Sequence, residues 1–281
     1  MGVLYVAGAV EGAGASTVAA GLAAALRAAG HQATLASADA VSGPLTVVDG
    51  LLLGADSAAE AQRLDARVVG VLPHARDLEA DAGALWREVY GERLAGLVLN
   101  RITVNAQEDA ASRLVPALEA AGVPVLAALA EDRLLGAPTV RSVVEALGAT
   151  LYAGEEGLEG LVEHLLIGGL ITEWGGNYFG RHSHQAVLVR GGRMDIQMSA
   201  LNFPLSALVL TGAEVPAQYV LQRAEAQEVP LAVTGKGTTE AAEALAALAP
   251  APVAHPDKTG RAAALLAGAV GPALLSAAGV A

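Results

Sequence analysis

Residues 8–17 read GAVEGAGAST and follow the apolar run VLYVA. Gly12 and Gly14, then Ala15, Ser16 and Thr17, are the residue types and spacing that wrap backbone amides around a phosphate. The glycines allow the chain to turn tightly, and a hydroxyl opening the next helix reaches a phosphate-bound metal. From Ala9 to Ser16 the order fits G/A-x-x-x-x-G-K-[ST], except that the lysine is Ala15. Amides and a helix N-terminus still make an anion site, but the cation that meets the β and γ oxygens is gone. Phosphoryl transfer depends on positioning and charge neutralisation, so this loss falls harder on turnover than on binding. The expected catalytic set is empty, with any ligand held but not turned over.

The stretch GAVEGAG also fits G-x-x-x-G-x-G, the dinucleotide loop of short-chain dehydrogenases, with Asp39 where a ribose-binding acid would stand. That chemistry requires Tyr-x-x-x-Lys. Lys236 and Lys258 are the only lysines, and neither has a tyrosine four residues earlier. Dehydrogenase chemistry is therefore set aside.

Positioning such a loop takes a sheet. Short apolar runs at 3–8, 33–37, 45–50, 67–73, 94–100 and 123–129 alternate with Ala/Leu-rich helical stretches, the pattern of a parallel sheet covered on both faces. Ligands in that architecture bind outside the carboxyl ends of the strands, where Gly12–Thr17, Asp39, Asp49, Asn100, Arg101, Glu131 and Asp132 all fall. After residue 134 the composition changes. Two helical patterns are expected over 138–167, followed by strands at QAVLVRGG, LSALVLTG and PLAVTG with helices between them. The chain thus divides into 1–134, a second α/β unit over 135–250 and a C-terminal helix and tail over 251–281.

Composition bounds the rest. The 281 residues are 53% apolar, enough for two cores. No cysteine is present, which excludes disulfides and thiolate metal sites. A net charge of −12 repels nucleic acid and anionic membranes, so neither is an expected partner. Nothing at the N-terminus resembles a secretion leader, and the cytoplasm is the expected compartment. Residues 262–281 carry no charge and could span a bilayer. Pro272 in their middle and the lack of a flanking basic cluster or aromatic belt favour a helix packed on the body. His182 and His184 have strand-like spacing suited to a shared metal, but lack an evident third ligand. TGKGTTE at 234–240 is either a second anion loop around Lys236 or a turn with a helix cap.

The loop, VVDG at 47–50, LNR at 99–101 and VPVLAALAEDRLL together resemble the dethiobiotin-synthetase-like P-loop domain at the N-terminus of long bacterial phosphate acetyltransferases. RGGRMDIQMSAL at 190–201 and LVLTGAEVP at 208–216 resemble the DRTGG domain that follows it in those enzymes. The resemblance covers about residues 1–250, and the acetyltransferase domain is absent. It implies a parallel three-layer α/β domain followed by a smaller DRTGG-type α/β domain. It also implies ATP, ADP or another adenine nucleotide at Gly12, Gly14, Ala15, Ser16, Thr17, Asp49, Asn100 and Arg101. Ser16 and Asp49 become the ligands if Mg²⁺ is bound, and Asn100 lies near the adenine. A second site is implied at Arg193, Asp195, Thr211, Gly212 and Lys236.

This sequence departs from the family pattern at Ala15, at Gly192 before Arg193 and at Ala213 after Thr-Gly. Only residues 38–44 join the second strand to LTVVDG, so the wall that binds an organic substrate in such relatives is missing. Two functions stay open. One is a non-catalytic regulatory sensor of a nucleotide or related phosphorylated metabolite, a homodimer reporting to an enzyme of acyl metabolism. The other is an ATP-dependent ligase or NTPase that borrows its cation from another chain.

Overall fold

The structure is a computed structural model that describes residues 2–75, 81–169 and 172–279. Along the chain run β1 (Gly2–Gly8), α1 (Ala15–Ala28), β2 (Ala33–Ala36), β3 (Leu45–Leu52), α2 (Ala55–Arg63), β4 (Arg67–Pro73), α3 (Asp81–Tyr90) and β5 (Leu94–Ile102). Next come α4 (Gln107–Asp109), α5 (Val115–Ala120), β6 (Val125–Ala130), α6 (Arg133–Gly136), α7 (Val140–Ala146), β7 (Thr150–Ala153) and β8 (His164–Ile167). The remainder is α8 (Gly175–Phe179), β9 (Gln185–Arg190), α9 (Met194–Ala200), β10 (Ala207–Thr211), α10 (Gln218–Ala226), β11 (Leu231–Thr234), α11 (Thr238–Ala246), α12 (Pro256–Leu266) and α13 (Pro272–Ala277). The described residues fall into two compact units: one runs to Leu135 and resumes at Val253, the other is Gly136–Pro252.

In the first unit six parallel strands lie in the order β2-β3-β1-β4-β5-β6. β1 is buried at every position because helices cover both faces of the sheet. Leu4 and Val6 face α1 and the C-terminal helices, whereas Tyr5 and Ala7 face a second cluster built on Trp86, Leu114 and Leu118. The Tyr5 ring lies against Gly50, where any side chain would collide with it. Its hydroxyl donates to Glu60 at 2.8 Å and accepts from the Leu51 N–H at 2.7 Å, fixing the end of β3. Burial pushes the Tyr5 pKa up, so the hydroxyl stays a donor.

The uncharged C-terminal stretch is not one helix and does not stand apart. Pro256 opens α12 and Pro272 opens α13, each at a helix start, where its missing N–H costs nothing. Leu266, Ala269, Leu274 and Ala278 enter the same core as Leu22 and Leu26 of α1. Residues 280 and 281 of that stretch lie outside the described residues. Among the described residues no helix is long and apolar enough to cross a membrane.

α12 approaches α1 closely at Gly21: a Cβ there would lie 2.8 Å from the Ala262 Cβ and 3.0 Å from its carbonyl carbon. Overpacking that seam costs about 1–3 kcal/mol, since backbone must move. Gly21→Val is expected to lower the melting temperature of the first unit by roughly 5–10 °C. An unchanged midpoint in calorimetry would show that the two helices separate freely.

Lys258 of α12 is 2% exposed, and its ammonium donates to the Leu135 carbonyl at 2.9 Å. Burial pushes its pKa down from 10.5 to about 8. Below about pH 8 folded and unfolded chains both hold the proton, and folding bears the full cost of the buried charge. Between about 8 and 10.5 the unfolded chain binds more protons, so stability rises with pH. The stability of Lys258→Met relative to the parent is therefore expected to fall steadily across that window in denaturant titrations. A flat difference from pH 7 to 10.5 would contradict the burial cost.

In the second unit the order is β7-β11-β10-β9-β8, parallel except for antiparallel β7. The fold class is as expected, a parallel six-stranded α/β unit and a second α/β sheet unit, with one local correction. Over 138–167 only α7 is a helix of more than one turn; the second helical pattern is replaced by β7 and β8. Gly154, at φ 75°, turns the chain after β7, and a Cβ there would strike the Val229–Pro230 backbone. This glycine and Gly157 and Gly160 after it break what Leu/Glu periodicity alone would read as a helix.

Candidate functional site

The loop expected to hold phosphate leaves β1 at Gly8 and enters α1 at Ala15. Gly12 and Gly14 take left-handed backbone conformations, φ 73° and 91°, and the Ala13 N–H donates to the Val10 carbonyl at 3.1 Å. Gly14 is the N-cap of α1 and no side chain caps the helix. Among the described residues, the N–H groups of Gly12, Gly14, Ala15, Ser16 and Thr17 meet no acceptor, although the loop is at least partly open to solvent. Five N–H groups without a protein acceptor at a helix N-terminus are open to solvent or to an anion. Ala15 packs beside Gly8, where a Cβ would lie 3.3 Å from its own.

Sheet register brings the other candidates of this unit around the loop. Leu45 and Val47 of β3 pack with α1, and alternation places Asp49 on that same face, exposed and opposite Val6 of β1. Asn100 lies near the end of β5 on the α1 side, and its Nδ2 donates to the Ala13 carbonyl at 2.9 Å. Its side chain is thus engaged with the loop. Arg101 follows in the left-handed region at φ 57°, exposed, its N–H donating to the Asn100 Oδ1 at 2.9 Å. Ser16, Thr17, Asp49 and Arg101 have no side-chain partner among the described residues.

Two other acids have local roles. Asp39 lies 3.7 Å from Arg63 on the surface. Asp132 accepts from the Leu135 N–H at 3.2 Å and from Arg261 at 2.7 Å, tying α6 to α12.

The second-unit candidates come together differently. Arg190, Thr211 and Thr234 end neighbouring parallel strands in register. The Thr211 and Thr238 hydroxyls are 2.9 Å apart, and Thr234 donates to the Leu147 carbonyl at 2.8 Å. Gly212, at φ 95°, and Ala213, at φ 60°, form a left-handed pair whose N–H groups donate to the Thr234 and Lys236 carbonyls. The Thr-Gly turn therefore interlocks two strand ends and offers no free amides.

Arg193 clasps Asp195 through two hydrogen bonds of 2.9 and 2.8 Å, and Thr172 donates to the same carboxylate at 3.0 Å. The guanidinium, with the Thr172 hydroxyl and Ile196 N–H adding to it, holds the Asp195 carboxyl well below the usual range. Lys236 pairs with Glu240 at 3.0 Å across one helical turn. A residue that sequence reasoning missed is Gln197, fully buried, whose Nε2 donates to the Arg190 and Gly191 carbonyls and fastens the end of β9. Its period-3.6 place on α9 is the only trace it leaves in sequence.

The histidines do not converge on a metal. His182 stacks on His164 with ring centroids 4.0 Å apart, and His184 lies 2.7 Å from Glu163. Among the described residues no group of three or more His, Cys, Asp or Glu could hold a metal ion.

Comparison with known proteins identifies residues 142–248 as a DRTGG domain by its family model. Among solved structures the chain is similar to the CBS and DRTGG domains of the regulatory region of Clostridium perfringens pyrophosphatase, a structure complexed with the activator diadenosine tetraphosphate. The identity is 12%, covering 64% of this chain and 73% of that one, with a TM-score of 0.38.

Proposed function

We propose that this protein is a non-catalytic regulatory sensor, in which residues 9–17 hold the phosphates of an adenine nucleotide or related phosphorylated metabolite. In this reading the DRTGG unit is its regulatory half. The observation that carries it is the set of five acceptor-free amides at Gly12, Gly14, Ala15, Ser16 and Thr17 around a position that supplies no cation. Amides and a helix N-terminus attract an anion. Without the lysine, charge building on the transferring phosphoryl group meets little compensation. The interlocked Thr211–Gly212 turn supports a structural part for the DRTGG motif and leaves the loop as the ligand site. A homodimer signalling to an enzyme of acyl metabolism completes the proposal.

A second reading, an ATP-dependent ligase or NTPase, draws on Ser16 and Asp49, both unpaired among the described residues and suited to Mg²⁺. Calorimetric titration with ATP, ADP, AMP and a dinucleoside polyphosphate, with and without Mg²⁺, tests both beside a phosphate-release assay. Binding without release is the expected result. Release that vanishes in Asp49→Asn would replace the sensor by the enzyme, and silence in both assays would remove the loop as a ligand site.

A further inference from the structure

We infer that Asn100 is the positioning residue that holds the 9–17 loop in its anion-binding shape; this rests on the loop being an anion cradle. Ala13 is 2% exposed, and a buried carbonyl needs a donor. The Asn100 Nδ2 provides one at 2.9 Å. The amide is held at its other end too, because its Oδ1 accepts the Arg101 N–H at 2.9 Å. The Asn100 backbone carbonyl accepts the His74 N–H at 2.7 Å, fixing the end of β5 against the exit from β4. The donor is therefore anchored to the sheet and does not ride on the loop.

Gly14 supplies an independent observation. A Cβ built on it would collide with the Asn100 Nδ2, and among atoms within 4 Å only Asn100 is met. The glycine is required by its φ of 91° and also by the amide lying against it.

The consequence follows from the geometry of a trans peptide. The Ala13 C=O and the Gly14 N–H belong to one planar unit and point in opposite directions. Pinning the carbonyl towards Asn100 turns the Gly14 N–H away from it. A peptide followed by glycine otherwise rotates at small cost. An uncharged amide cannot neutralise phosphate, so Asn100 acts through the loop: it sets donor direction and leaves attraction to the backbone.

Asn100→Leu keeps the size and removes the donor without adding charge. With inorganic tripolyphosphate as the probe in calorimetry, affinity is expected to fall at least tenfold. In the unligated protein, hydrogen exchange of the Ala13 amide, which donates to Val10, is expected to quicken about tenfold while Val6 and Val98 in the sheet keep their rates. Should Val6 and Val98 quicken as well, Asn100→Ala is read instead. Parental affinity and parental Ala13 exchange in both variants would overturn the inference. Faster Ala13 exchange in a protein whose parent ignores tripolyphosphate would uphold Asn100 as the holder of the loop and defeat the anion reading alone.

Discussion

A chain ending at Pro252 will lose the first unit as a cooperatively folded body while the DRTGG unit keeps its own transition. The removed segment carries Leu266 and Leu274, each about 1% exposed and both in the core that α1 shares with β1 and β3. Emptying two such leucine sites costs about 2–5 kcal/mol each, which approaches the 5–15 kcal/mol that holds a typical domain together. It also exposes the flank of α1 at Gly21 and Leu22 and removes the Arg261 and Lys258 contacts to Asp132 and Leu135. In calorimetry the parent should show the first unit melting cooperatively; the truncated chain should lack that transition and be cut by protease within residues 1–135. A truncated protein whose first unit melts within about 3 °C of the parent would mean that α12 and α13 lie on a core already complete.

That dependence was hard to read from sequence, because it rests on a match between small residues far apart in the chain, Gly21 and Ala262, which no local pattern announces. The strands were legible for the opposite reason. β1, β4 and β5 are apolar on both faces and flanked by helical runs, and only a covered parallel sheet satisfies such segments. The loop between β1 and α1 was legible because glycines stand where the turn takes left-handed conformations, at Gly12 and Gly14, which other residues adopt only under strain. Asn100 was legible as a strand-end residue near the loop, but its partner was not: reaching an adenine or reaching back to Ala13 depends on the β4–β5 register and on Arg101. Thr211 and Gly212 show the same limit. The resemblance puts them in a second site, and the folded chain uses the N–H groups of Gly212 and Ala213 to join β10 to the β11–α11 turn. Arg193 and Asp195, which the resemblance puts in a second site, instead engage each other through a two-pronged contact that only the folded α9 start sets up.

Placing a positive charge at position 15 is the sharpest test of what the loop binds. Ala15→Lys is expected to tighten ATP binding by roughly ten- to a hundredfold, the range of one charge-assisted hydrogen bond worth about 1.5–3 kcal/mol. Gly8 has no side chain to block the new one, and Ala15 is only partly buried, so the lysine can leave along the loop surface. AMP, which lacks β and γ oxygens, should gain far less. Equal gains for both nucleotides would mean that the new charge merely offsets the protein's net −12 and finds no defined partner. No gain for either would mean that the amides of Gly14–Thr17 do not face a phosphate, and the sensor reading would lose its site. If the lysine also brings phosphate release that Asp49→Asn abolishes, Ala15 is the single break in an otherwise intact metal-assisted site. Binding that tightens without release is the expected outcome, because a lysine neutralises phosphate oxygens but does not by itself position a phosphoryl acceptor.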